Sequence, residues 1–90
     1  MAASLPTQPQ FHHWRSHGGA EVDLVLSYAG RMHAIEIKAS SHPGHDDARG
    51  IRAFRADHPG QAQDMALIMA PIERGYQVAE RCWAVPWNAR

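Results

Sequence analysis

The sequence predicts an α/β domain: a small mixed sheet in the order β-β-β-α-β-β with one helix crossing it. Three observations carry this. Glu21–Tyr28 (EVDLVLSY) and Met32–Ala39 (MHAIEIKA) alternate polar and apolar residues on either side of Ala29-Gly30-Arg31, the pattern of a hairpin. Asp46–Asp57 (DDARGIRAFRAD) places Ala48, Ile51 and Phe54 at helical spacing. Met65–Met69 (MALIM) is a short, wholly apolar run, the pattern of a strand buried on both faces. A hairpin followed by a helix and a further strand requires parallel and antiparallel neighbours in one sheet.

In chain order, residues 1–10 hold two prolines and no charged residue and read as a flexible arm, so the domain proper is expected at 11–90. Phe11–Arg15 (FHHWR) is a short aromatic edge strand ended by Gly18-Gly19. The hairpin follows, then the Ser40–Gly44 loop. The helix has acids in its first turn and stops at His58-Pro59-Gly60. Gly50 inside it costs about 1 kcal/mol against alanine, which marks a close approach to the sheet. Tyr76–Trp87 reads as one last strand, closed by Pro86.

Composition narrows the function classes. Nine Lys and Arg balance nine Asp and Glu over 90 residues, so no global field draws the chain to nucleic acid or a membrane; such binding requires a local patch. Cys82 is the sole cysteine, which excludes a disulfide framework and fits a reducing cytoplasm. No apolar run approaches the roughly 20 residues of a membrane span. The histidines around 12–17 and 42–45 do not form a four-ligand zinc set at the usual spacings.

Pairing the two central strands across Ala29-Gly30 sets Ser27 against Met32, Val25 against Ala34, Asp23 against Glu36 and Glu21 against Lys38. One face then carries the charges, and the other receives Val22, Leu24, Leu26, His33, Ile35 and Ile37. A slip of one residue would bury the charges and expose the aliphatics, so the pattern fixes the register. Two directly opposed carboxylates repel. A divalent cation between Asp23 and Glu36 resolves that conflict, with Glu21 as an accessory ligand or orienter and Lys38 acting on a bound water. The competing reading is an ordinary charged sheet surface, with Lys38 as a cross-strand salt-bridge partner.

Gly19-Ala20-Glu21-Val22-Asp23-Leu24-Val25 followed by Ala34-Ile35-Glu36-Ile37-Lys38-Ala39-Ser40 resembles the central pattern of the PD-(D/E)XK nuclease superfamily. With Trp14-Arg15, the Asp47–Phe54 helix and Cys82-Trp83-Ala84-Val85-Pro86, the chain is similar to the C-terminal domain of a group of bacterial AAA-type ATPases. The resemblance implies a restriction-endonuclease-like fold and a phosphodiesterase site of Asp23, Glu36 and Lys38 using magnesium or manganese. Nucleic acid is the implied substrate; the spacing of Arg49 and Arg52 on the helix makes them the candidate phosphate contacts. Two parts of the pattern are missing. Residues 1–20 hold no acid and no first helix, and no GxxxxGK[ST] occurs. The missing helix should leave apolar sheet surface for a homodimer partner or the arm to cover. The alternative function is a non-catalytic interaction or regulatory module working with an ATPase.

Arg49, Arg52 and Arg55 form a slanting basic band on the helix, read either as phosphate contacts or as a solvated face. Trp14, Trp83 and Trp87 are expected to fill the core or cover an interface rather than stack on bases.

Overall fold

The computed structural model describes residues 8–62 and 64–87. The strands are β1 (Gln10–Arg15), β2 (Glu21–Tyr28), β3 (Arg31–Ile37), β4 (Ala66–Ala70), β5 (Tyr76–Ala79) and β6 (Cys82–Pro86). Between β3 and β4 lie a 3-10 turn (His45–Ala48) and the helix α1 (Arg49–Asp57). The sheet order is β1-β2-β3-β4-β6-β5, antiparallel at both ends and parallel along β3-β4-β6. The expected mixed α/β architecture is present, with six strands among the described residues instead of five, because Tyr76–Trp87 folds as a hairpin. Most of the expected arm at 1–10 lies outside the described residues; Gln10 already belongs to β1.

The β2–β3 turn is made at Ala29 (φ 53°) and Gly30 (φ 79°), both left-handed, as a two-residue hairpin matched to strand twist requires. From it the ladder runs Ser27 to Met32, Val25 to Ala34 and Leu24 to Ile35, the register expected from the charge pattern. At the start of the 3-10 turn, the Asp47 carboxylate accepts the Gly44 N–H (2.8 Å), satisfying an orphan donor. At its end His58 stacks on Phe54 at 4.3 Å, and His58 Nδ1 lies 2.9 Å from the Phe54 carbonyl.

α1 covers the face that carries Val25, Ala34 and Glu36. Among the described residues, half of the twelve buried apolar ones are alanines (34, 48, 62, 66, 70 and 84), so the helix lies close to the sheet. Gly50 marks that contact. A Cβ there would collide with the Glu21 carbonyl oxygen and stand 2.9 Å from Glu36 Oε2.

Two expectations about the faces are corrected. Val22 was placed with the aliphatic face, yet it is fully buried in the same cluster as Val25 and faces Trp14, which packs edge-on against Phe54. Between the pairs His12–Val25 and Trp14–Val22, β2 holds one more residue than β1. This bulge turns the start of β2 over. The aliphatic face itself is not sealed. Leu24, Leu26, Ile35, Leu67, Met69, Trp83 and Val85 are half-buried, and Ile37 is exposed. β4, expected to be buried on both faces, is buried only through Ala66, Ile68 and Ala70.

Candidate active site

The regular β2–β3 ladder stops at Leu24–Ile35, and two side chains carry it further. The Asp23 N–H donates to Glu36 Oε1 (3.2 Å), and the Ile37 N–H donates to Asp23 Oδ2 (2.9 Å). Each carboxylate thus accepts a main-chain N–H of the opposite strand beyond the last regular pair of the ladder. This reciprocal bonding answers how two acids can face each other in a sheet: main-chain N–H groups hold each carboxylate.

Their environments differ. Asp23 is exposed, while Glu36 is 6% exposed and lies beside Ile68 on the helix face. Burial is the main cause that pushes the Glu36 carboxyl up to about 7, and the neighbouring Asp23 side chain adds to it. The Asp23 N–H bond and the Lys38 charge pull the other way without overcoming burial. Lys38, the residue after β3, is half-buried and anchored by its own N–H to the Met69 carbonyl (2.9 Å).

Asp23, Glu36 and Lys38 line one cleft of about 510 Å³, walled by Gly18-Gly19-Ala20 on one side and by Asp46, Asp47, Arg49 and Gly50 on the other. Gly19 (φ 92°) shapes the wall, where Ser16 Oγ accepts the Ala20 N–H (3.0 Å). Glu21 reaches the rim, but its Oε1 lies 3.1 Å from His13 Nε2 and 3.5 Å from Arg15 Nη2. The expected Glu21–Lys38 pairing is absent from the described ladder. The two arginines expected to bind phosphate separate. Arg49 borders this cleft, whereas Arg52 lines a second one beyond the helix.

Among the described residues, no group of three His, Cys, Asp or Glu side chains converges as a metal-ligand set. The donors that do meet are two hard carboxylates. That set fits magnesium or manganese, which take one or two carboxylates and complete their shell with water and phosphate oxygens; it does not fit zinc. The Gly18-Gly19 wall and the acids Asp46 and Asp47 were not singled out as site residues from the sequence. Only the approach of the 3-10 turn to the hairpin end brings them to the cleft.

The family described as "Domain of unknown function (DUF4143)" matches residues 1–89. The chain is 31% identical over 86 residues to "Uncharacterized protein Rv2008c" of Mycobacterium tuberculosis and to "Uncharacterized protein Mb2031c" of Mycobacterium bovis. Those matches cover 96% of this chain but 18% of each relative, so the chain spans about a fifth of their length. No solved structure matches it. No helix among the described residues is long and apolar enough to cross a membrane.

Proposed function

The chain belongs to the DUF4143 family, and from that premise we propose that it is a nuclease-like domain of the PD-(D/E)XK type, hydrolysing nucleic-acid phosphodiesters with a divalent cation held by Asp23 and Glu36. One observation carries the reading: reciprocal main-chain bonds fix both carboxylates at the hairpin end, with Lys38 in the same cleft. A buried carboxyl lifted to about 7 beside a second acid is a pair awaiting positive charge. When bound, magnesium or manganese supplies Lewis-acid polarisation and a more acidic water.

The chain's own groups do the rest. Asp23 and Glu36 would hold the cation. Lys38 positions the attacking water and offsets charge developing on the phosphoryl oxygens. Arg49, on the cleft border, binds a non-reacting phosphate oxygen. Glu21 lines the same cleft and acts as an orienter at its rim, where its carboxylate meets His13 and Arg15. The reaction is hydrolysis: water adds to phosphorus and one ester P–O bond breaks. Magnesium titration followed by thermal melting tests the site before any substrate is chosen. The wild-type Tm should rise with magnesium and that of Asp23→Ala should not; equal responses refute the reading.

The open aliphatic face supports a second reading, a module that docks onto a second copy or onto an AAA-type ATPase partner. The parallel run β3-β4-β6 carries Leu67, Met69, Trp83 and Val85 toward the open face, apolar surface of the kind that marks an interface. Trp83→Glu should leave the fold intact and abolish such docking, read by light scattering of the domain alone and with the partner. Unchanged assembly would remove this reading.

A further inference from the structure

The helix α1 divides two clefts of opposite charge. The Asp23–Glu36 cleft is lined by five carboxyl groups against Lys38 and Arg49. The cleft beyond the helix, about 280 Å³, is lined by Arg52, Arg55 and Arg81 against the single carboxylate of Glu80, with His45 at its edge. A polyanion is attracted to the second and, without a cation, repelled by the first. We propose that this second cleft is a phosphate-binding site that grips the nucleic-acid backbone a few nucleotides from the acidic cleft, through Arg81 and Arg52. The link to cleavage rests on the nuclease reading; the anion site itself does not.

The turn between β5 and β6 is built to present Arg81. Arg81 takes a left-handed conformation (φ 50°) that glycine adopts at lower cost. Arg55 fixes the turn from below, donating to the carbonyl oxygens of Glu80 (2.8 Å) and Arg81 (2.6 Å), and to those of Ala62 and Asp64 on the other side. A strained residue held this firmly keeps its side chain for a reason other than turn geometry. The Arg81 side chain is half-exposed, and its one ion pair among the described residues, 3.8 Å to the exposed Glu80, is of the weak surface kind. Arg52 uses Nη1 on the His45 carbonyl (3.1 Å) and ring (3.5 Å); its other nitrogens have no partner among the described residues. A helix is about 10 Å across. At roughly 3.4 Å per nucleotide, about three nucleotides bridge the two clefts.

The test uses inorganic phosphate, followed by amide NMR, and a labelled DNA duplex in EDTA, followed by fluorescence anisotropy at several salt concentrations. Phosphate should shift the amides of Glu80, Arg81 and Cys82 in the wild type and not in Arg81→Gly, which keeps the turn because glycine favours it. Arg81→Gly and Arg52→Ala should each weaken duplex binding about tenfold and lower the salt slope by about one. Asp23→Ala should bind duplex at least as tightly as the wild type. Wild-type duplex affinity in Arg81→Gly and Arg52→Ala, or no phosphate response at residues 80–82, overturns the site. Phosphate binding without duplex binding overturns its assignment to a polynucleotide. If magnesium fails to raise the wild-type Tm while the Arg81 effect holds, the nuclease reading falls and the anion site stands.

Discussion

Replacing Glu36 by glutamine should remove a pH dependence that the metal-free domain otherwise carries. The Glu36 carboxyl is lifted from 4.5 to about 7 in the folded protein, chiefly by burial. A carboxyl with a raised folded value holds its proton more tightly than the unfolded chain does. Its contribution to stability is therefore complete below about 4.5 and is lost as pH rises through about 7. With more than 1 kcal/mol at stake per pH unit, the wild type should be about 2 kcal/mol less stable at pH 8 than at pH 5 from this group alone. Glutamine keeps an acceptor for the Asp23 N–H and has no proton to lose, so Glu36→Gln should lack that component. Urea unfolding of both proteins at pH 5 and 8, in EDTA, measures it. Subtracting one pH difference from the other cancels the seven histidines. Identical pH differences in the two proteins would refute the reasoning, because Glu36 would then titrate as an ordinary exposed acid.

Metal and structure give further expectations. Lys38→Ala should retain the magnesium-induced rise in Tm and lose phosphodiesterase activity; if it instead melts lowest of the Asp23, Glu36 and Lys38 alanine variants and magnesium stabilises none, the cluster is a structural salt bridge. Ala29→Gly should raise stability by about 1 kcal/mol, because Ala29 is left-handed (φ 53°) in the hairpin turn, and a lower urea midpoint would contradict this. Arg55→Ala removes the hydrogen bonds to the carbonyl oxygens of Ala62, Asp64, Glu80 and Arg81 among the described residues and should cost about 3 kcal/mol or more, read in the same urea experiment, with Arg55→Lys recovering only part.

How far the sequence could be read depends on which forces are local. The β2–β3 register was legible because a one-residue slip would exchange carboxylates for aliphatics, and Ala29-Gly30 supplied the turn. Gly50 pointed correctly to a close helix–sheet contact. The β5–β6 turn was not legible: Glu80-Arg81 contains no glycine or asparagine, and its left-handed residue is fixed by Arg55, 26 positions earlier. The bulge in β2 was equally hidden, since Val22-Asp23-Leu24-Val25 alternates as a regular strand would. Alternation could say which residues share a face but not which face the helix covers. The alanines and Gly50 permit a close helix on the charged side, and the larger aliphatics are left on the open side.

That inversion ties the fold to the site. Had α1 packed on the aliphatic face, Glu36 would be solvated, its carboxyl would titrate near 4.5, and the Asp23–Glu36 pair would be a surface feature screened by water. Because α1 packs on the other side, Glu36 is buried at 6% exposure, and the Gly50 contact sets its Oε2 against the helix. Burial makes the ionised pair costly without a cation and correspondingly responsive to one. The same packing leaves Leu24, Ile35, Leu67 and Trp83 in a row across the open face, half-buried and without a covering layer among the described residues. Gly50→Ala separates the two consequences. Its Cβ must push α1 off the sheet at Glu36, so the Glu36 carboxyl should move back toward 4.5 while the open face is unchanged. NMR titration of the Glu36 side chain in a folded Gly50→Ala domain reads this directly; a value still near 7 would mean that burial by α1 is not what raises it.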